Sequence, residues 1–182
     1  MRYGIAKVAV VIDHSQTGGN LKELTGIDCS APIVGSVSEA LQYNPDTLVP
    51  AIAPPGGLLP ESWEPEIKLA LSSGMSLVNG LHKPMANDPA YASLLKYGRF
   101  IWDIRQEPAG LDNGLGRARE LPCKRVLFVG TDMANGKMTA ALEMHAHSLK
   151  RGLKSAFVAT GQIGIAIAGD GVPLDAVRVD FA

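Results

Sequence analysis

The sequence predicts an α/β protein with parallel sheets, divided into two domains. Strand-like and helix-like patterns alternate along the whole chain, which favours parallel α/β layers. The strand-like runs are continuously apolar, as expected for strands buried on both faces of a parallel sheet. A third observation concerns the second half of the chain, where an apolar run leads into a glycine-rich turn that ends in Gly136-Lys137.

The first domain is predicted over residues 1–110. We expect its strands at residues 7–13, 32–35, 47–53, 75–78 and 100–104. A short helix over 38–43 follows a capping serine, Ser36 or Ser38. After the break at 54–57, a helix over 61–73 ends at Gly74, and its predicted inward residues are Ile67, Leu69, Ala70 and Leu71. A proline-containing helix or loop then runs through Tyr97.

Residues 106–122 are rich in glycine, proline and charge, so we take them as the crossing between domains. The second domain, residues 123–182, is predicted to contain a strand at 124–129, a helix at 137–151 capped by Gly152, a strand at 155–159, a loop at 160–164 and a final strand at 176–181. Within the helix, Leu142, His145 and Leu149 recur at helical spacing.

The second domain offers about three strands, whereas a sheet of this class needs about five. We therefore expect a truncated domain, or a naturally short one completed by a partner subunit. In either case apolar atoms should be exposed or covered by another chain, at Val126, Phe128, Phe157 and Val179.

Composition restricts the possible partners. In 182 residues, 46% are hydrophobic and 19% charged, enough for a substantial core. A formal charge of −1 without a long basic run argues against an extended nucleic-acid or membrane surface. No apolar stretch reaches the roughly 20 residues that span a bilayer, and the N-terminus lacks a signal-peptide core. We expect a cytoplasmic homo-oligomer that acts on a small molecule and binds neither nucleic acid nor membrane.

Cysteine and histidine form no metal motif in this sequence. Cys29 and Cys123 are too far apart for a CxxC pair. His145 and His147 lie two residues apart on a predicted helix and point to different faces. We therefore assign no metal to these side chains.

The turn between the predicted strand at 124–129 and its helix has the chemistry of a phosphate-binding loop. Backbone N–H groups, the helix dipole and a lysine converge on an anion in such a turn. The candidate cofactor-binding residues are Gly130, Thr131, Asn135, Gly136, Lys137, Met138 and Thr139. The plain alternative is a glycine-rich turn with a solvated lysine.

The turn departs from the usual Gly-x4-Gly-Lys-Ser/Thr pattern in an informative way. Met138 stands where a hydroxyl would bind Mg²⁺, and Thr139 is rotated by about 100° on the helix. Phosphate binding is therefore better supported than magnesium-dependent hydrolysis.

Four segments together resemble a bacterial two-domain family long described as a domain of unknown function, with members that include D-glutamate N-acetyltransferase. The segments are residues 129–143, 159–169, 55–63 and 79–82. The resemblance covers nearly the whole chain and implies a Rossmann-like N-terminal domain followed by a P-loop domain. It also implies acetyl transfer from acetyl-coenzyme A (acetyl-CoA) to D-glutamate or a related D-amino acid.

Under that reading the turn holds the phosphates of acetyl-CoA, and Asp132 is the candidate catalytic base that takes a proton from the amine. The plain alternative for Asp132 is a carboxylate that caps the loop.

The turn is also similar to that of dethiobiotin-synthetase-like P-loop enzymes, which bind ATP with Mg²⁺. Under this alternative Asp132 and Asp180 approach the metal. A non-catalytic nucleotide-binding module is the third possibility.

Five further residues are candidates for substrate binding. Arg105 can bind a carboxylate through its guanidinium, or form a salt bridge with Asp103 or Glu107. His82 follows a predicted strand end, where open α/β sheets bind ligands, or it bonds a loop carbonyl. The remaining candidates follow the strand at 155–159, and they are Thr160, Gly161 and Gln162.

Overall fold

The computed structural model describes residues 3–4, 6–52, 54, 57–110, 116–132 and 134–177. The chain divides into two compact units, Met1–Gln106 and Glu107–Ala182. Strands and helices alternate in the first unit in the order β1 (Val11–Ile12), α1 (Leu21–Thr25), β2 (Ile33–Val34), α2 (Val37–Ala40), β3 (Thr47–Leu48), α3 (Glu64–Ser72), β4 (Ser76–Asn79), α4 (Pro89–Ala92) and β5 (Ile101–Asp103).

All strand pairs of the first unit are parallel. β1 pairs with β2, while β3, β4 and β5 form a second sheet in that order. Leu77 of β4 lies opposite Leu48 on one side and Ile101 on the other. The predicted α/β class with parallel sheets is confirmed. The strands are shorter than predicted because only the part of each apolar run that has a hydrogen-bonded neighbour is a strand.

The main core of this unit lies around β4. Its buried members come from α3, β4 and the segment after β4, and they are Ile67, Leu71, Leu77, Leu81, Met85 and Tyr91. Helix α3 contributes Ile67, Ala70 and Leu71. The predicted inward position of Leu69 is wrong: its side chain is 36% exposed. Leu69 is two residues from Ile67, which places it about 200° around the helix.

Side chains and glycines define the helix ends. Ser36, and not Ser38, caps α2, since its hydroxyl accepts from the backbone N–H of Glu39. The N–H of Val37 donates to Glu66 of α3 over 2.6 Å, which joins the two helices. Gly74 follows α3 with φ +94° and donates to the carbonyl of Leu71, at the position predicted for the helix end.

The second unit contains helices α5 (Lys137–Lys150) and α6 (Gln162–Ala168), and a 3-10 turn at Arg117–Glu120. The strand predicted at 124–129 is wrong, because these residues form no ladder with a described neighbour. The strand predicted at 155–159 is reduced to one parallel bridge between Ala159 and Gly171. The loop predicted at 160–164 is also wrong in part, since α6 begins at Gln162. Most of the predicted final strand lies outside the described residues.

Several apolar side chains of the second unit face solvent. Val126 is 61% exposed and Leu127 is 82% exposed, while Phe128 and Phe157 are half-buried. Val179 lies outside the described residues. On α5, Leu142 is buried but Leu149 is half-exposed. His145 joins α5 to the following segment, with Nδ1 2.8 Å from Oγ of Ser155 and its ring 6.4 Å from that of Phe157.

In the described part of the chain, every helix is too short or too polar to cross a membrane.

Candidate functional site

The turn that opens α5 bends the chain sharply at two positions. Ala134 and Gly136 adopt left-handed backbone conformations, with φ of +54° and +89°, so the chain bends sharply before Lys137 begins the helix. Glycine adopts this conformation readily, whereas alanine is strained in it. The described residues 134–136 therefore form a turn that leads directly into a helix of 14 residues.

The N-cap residue of α5 is Gly136, which has no side chain that could accept from the first N–H groups of the helix. Helix α6 likewise begins after a glycine, Gly161, whereas the side chains of Asn20, Ser36 and Asp88 cap α1, α2 and α4. The first turn of α5 also contains no acidic residue. N–H groups at the positive end of a helix dipole favour an anion.

The side chains of Lys137 and Asn135 form hydrogen bonds within the turn. The Lys137 ammonium donates to the backbone carbonyl of Asp132 and, over 3.0 Å, to Oδ1 of Asn135. A Cβ on Gly130 would lie 3.0 Å from Cγ of Asn135 and closer still to Nδ2, so a larger residue there would displace this amide. The lysine charge is thus held against the turn, beside the N-terminus of α5.

The other predicted residues of the turn face solvent. Thr131, Asp132 and Thr139 are exposed, and Met138 is 37% exposed. A thioether at Met138 is a poor ligand for Mg²⁺, which prefers oxygen. Among the described residues, no three His, Cys, Asp or Glu side chains group closely enough to hold a metal ion.

A second polar group lies at the carboxyl ends of β4 and β5. Nη1 of Arg105 is 3.0 Å from Nε2 and 3.4 Å from Nδ1 of His82, and its Nε donates to the carbonyl of Gly80 over 2.8 Å. Arginine can only donate, so a hydrogen bond between the two side chains uses a histidine ring nitrogen as the acceptor. Open parallel α/β sheets bind their ligands at this edge. The structure thus brings together two of the predicted substrate-binding residues.

Gly57 supports this pair from the loop after β3. Its carbonyl accepts from the backbone N–H of His82 over 3.0 Å. Its φ is +64°, and a Cβ there would overlap the His82 ring, with Cγ only 2.8 Å away. The imidazole therefore packs directly on the glycine backbone.

We expect Gly57→Ala to displace the His82 ring and break its contact with Arg105. The left-handed φ adds a cost of about 1 kcal/mol to the steric overlap. The ring resonances of His82 in an NMR spectrum should shift by more than those of His14, which lies in another part of the unit. Unchanged His82 resonances would contradict the packing described.

A hydrogen-bonded pair at the ends of β4 and β5, Asn79 and Asp103, was not predicted from the sequence. Asn79 is fully buried, and its Nδ2 donates to Oδ1 of Asp103 over 2.6 Å and to the carbonyl of Lys83 over 2.8 Å. The Asp103 carboxylate also accepts from the N–H groups of Met85 and Ala86. The available signal was a polar residue at the end of each of two apolar runs, 24 residues apart.

The remaining candidates lie at the start of α6. Gly161 is the N-cap residue and its carbonyl accepts from Ile165, while the carbonyl of Thr160 accepts from Leu174. Gln162 is the first residue of the helix. These contacts are backbone contacts.

A further carboxylate lies at the end of β1. Asp13 accepts from the hydroxyl of Ser15 over 2.7 Å and from its N–H over 2.9 Å. These hydrogen bonds stabilise the charged form and lower the pKa of the Asp13 carboxyl. Asp13 remains ionised at lower pH than an ordinary aspartate, so its negative charge is a fixed feature of this exposed loop.

A parallel α/β unit with polar strand ends, followed by a unit in which a Gly-Lys turn opens a helix, defines a two-domain α/β protein of the P-loop class. Residues 14–107 match the family described as "Domain of unknown function (DUF1611_N) Rossmann-like domain". Residues 113–182 match "Domain of unknown function (DUF1611_C) P-loop domain". The chain belongs to this two-domain family, and the resemblance predicted from the sequence is confirmed.

Two curated relatives are named D-glutamate N-acetyltransferase. The chain is 42% identical over 180 residues to the one from Tritonibacter scottomollicae, covering 97% of this chain and 54% of the relative. It is 37% identical over 147 residues to the one from a Pseudoalteromonas species, covering 80% of this chain and 44% of the relative. The chain spans about half the length of the curated relatives it matches.

A solved structure has the same fold over this region. It is described as the crystal structure of a DUF1611 family protein from Anabaena variabilis. The TM-score is 0.94 at 56% sequence identity, over 99% of this chain and 52% of that chain.

Proposed function

We propose that this chain is part of an N-acetyltransferase that transfers the acetyl group of acetyl-CoA to D-glutamate or a related D-amino acid. The observation that carries the proposal is the lysine-bearing N-terminus of α5, which begins after a glycine, in a chain that is 42% identical to a D-glutamate N-acetyltransferase. The turn supplies binding sites for an anion, and its Met138 replaces the hydroxyl that a magnesium-dependent enzyme would use.

The phosphates of CoA are assigned to the turn. The N–H groups of Lys137, Met138 and Thr139 begin α5, and the ammonium of Lys137 lies beside them. Thr131 and Asn135 supply polar side chains from the same turn, and Gly130 and Gly136 permit its bends. CoA carries a pyrophosphate and a 3′-phosphate, and such donors bind phosphate without hydrolysing it.

The carboxylate of the amino acid is assigned to Arg105 and His82. A guanidinium binds a carboxylate through two parallel hydrogen bonds, and His82 lies against it at the strand ends. Thr160, Gly161 and Gln162 at the start of α6 are further candidates for substrate contacts.

In the reaction, the neutral amine attacks the thioester carbonyl to form a tetrahedral oxyanion. The oxyanion collapses, the C–S bond breaks, and the thiolate of CoA leaves as the amide forms. A base must take the amine proton, and Asp132 is the proposed base because its carboxylate is exposed beside the Lys137 turn. CoA supplies the activated acyl group, and the protein orients the amine and stabilises the oxyanion.

The test is to incubate the whole protein with acetyl-CoA and D-glutamate and to follow free CoA thiol and N-acetyl-D-glutamate. We expect both products in equal amounts, with little change when Mg²⁺ is chelated. ATP consumption that depends on Mg²⁺, without any response to acetyl-CoA, would overturn the proposal.

The alternative is an ATP-dependent enzyme similar to dethiobiotin synthetase, and Met138→Ser separates the two readings. If the turn binds Mg-ATP, the added hydroxyl completes the magnesium site and should tighten nucleotide binding in calorimetry. If the turn binds CoA, we expect this substitution to leave acetyl-CoA affinity within about threefold, because its backbone N–H is retained. Met144→Ser, on the same helix, is the matched control.

A further inference from the structure

We propose that Asn79 and Asp103 are positioning residues that hold His82 and Arg105 as one carboxylate-binding site. This inference rests on the proposed function, because it names the part of the protein that binds the carboxylate of the amino acid. It adds two residues that touch no ligand themselves. The evidence is a continuous set of hydrogen bonds between the ends of β4 and β5.

The Asp103 carboxylate lies at a strand end, where a catalytic acid could lie. Both of its oxygens, however, accept hydrogen bonds from other groups of the protein. Its Oδ1 accepts from Asn79, and its two oxygens together accept from the N–H groups of Met85 and Ala86 at distances between 2.8 and 3.0 Å. Each oxygen of the Asp103 carboxylate thus accepts at least one hydrogen bond from within the protein. The carboxylate fixes the segment after β4 to the end of β5.

Asn79 fixes the near side of the same segment. Its side chain is fully buried, its Oδ1 accepts from the N–H of Leu81 over 3.0 Å, and its Nδ2 donates to the carbonyl of Lys83. The backbone on both sides of His82 is thus hydrogen-bonded to the side-chain amide of Asn79. A histidine held in this way loses little conformational freedom when a ligand binds.

Arg105 is attached to the same framework. It follows Asp103 by two residues, and its Nε donates to the carbonyl of Gly80, the residue between Asn79 and Leu81. The positions of the Arg105 guanidinium and the His82 imidazole therefore both depend on the pair formed by the two strand-end side chains, Asn79 and Asp103. A change at that pair should alter both ligand-binding groups together.

The pair can be tested by exchange, because an amide and a carboxylate are nearly the same size. Asp103→Asn places an NH₂ group against the N–H groups that now donate to the Asp103 carboxylate. Asn79→Asp places a second carboxylate in contact with that of Asp103. The double variant Asn79→Asp/Asp103→Asn restores one donor and one acceptor between the positions. The carbonyl of Lys83 then faces a carboxylate oxygen in place of its donor, and the N–H of Met85 keeps one of its two contacts with position 103.

In the whole protein, each single variant should raise the KM for D-glutamate by about tenfold or more, while the KM for acetyl-CoA stays within about twofold. The double variant should recover to within about threefold of the original KM. Asp28→Asn is the control, since Asp28 is exposed, pairs with Lys22 and precedes β2. Variants that lose only thermal stability or kcat, with an unchanged KM for D-glutamate, would overturn the inference.

A binding measurement separates this inference from the proposed reaction. The NMR signals of the Arg105 Nε–H and the His82 ring are followed while glutarate is added. Shifts in the original protein that are lost in both single variants and return in the double variant support the inference, even if no acetyl transfer occurs. No glutarate-dependent shift of either residue in the original protein would overturn it, whatever the reaction proves to be.

Discussion

Lys137→Ala is expected to weaken acetyl-CoA binding by about 1.5–3 kcal/mol, or roughly tenfold to 150-fold, because one charge-assisted hydrogen bond to phosphate is lost. The ammonium of Lys137 lies against the turn at the start of α5, where a bound phosphate would meet it. Isothermal titration of the whole protein with acetyl-CoA measures the change directly. Lys137→Arg should recover only part of the affinity, because a guanidinium fork does not match the compact ammonium.

Lys150→Ala is the matched control for this prediction. Lys150 ends the same helix, about 20 Å from its first residue at 1.5 Å per residue. Its removal changes the net charge by the same amount at the other end of α5. If both lysine variants weaken acetyl-CoA binding equally, the effect is one of overall charge and the turn is not the phosphate site.

Ile67→Ala is expected to destabilise the first unit by about 2–5 kcal/mol, because it leaves a cavity in the main core. Ile67 is 1% exposed and packs with Leu71, Leu77 and Tyr91. Urea unfolding followed by a probe in this unit gives the change in the free energy of unfolding.

Leu69→Ala provides the comparison within the same helix. Leu69 lies on the outer side of α3 and is 36% exposed, so we expect its replacement to cost less than about 1 kcal/mol. Equal losses at the two positions would show that α3 is rotated relative to the core described here.

Local patterns predicted most of the first unit. The serine cap at Ser36, the glycine after α3 and the apolar runs of the sheet depend on neighbours in sequence, and the structure has all of them. Leu69 was misplaced because an apolar residue was taken as evidence of burial, whereas its angular position on the helix decides its exposure.

The pairing of segments that are distant in the chain could not be predicted from the sequence. The run at 124–129 has the composition of a strand, but a strand also needs a hydrogen-bonded neighbour, and composition does not supply one. Asn79 and Asp103 were missed for a related reason: each is an ordinary strand-end residue, and their contact follows only from the parallel pairing of β4 with β5. The start of α5 at Lys137 was predictable because its signals lie within a few residues of sequence, whereas the strand expected before it is absent from the described residues.

The exposed run from Val126 to Val129 also has a consequence for how the protein behaves in solution. Val126, Leu127 and Val129 are β-forming residues with exposed side chains, and such runs can pair edge to edge with other chains and start aggregation. Lys124 and Arg125 precede the run and are exposed, so their like charges oppose such pairing. Salt at 0.1 M screens charges that are more than about 10 Å apart. We therefore expect concentrated samples to remain free of turbidity for longest at low ionic strength.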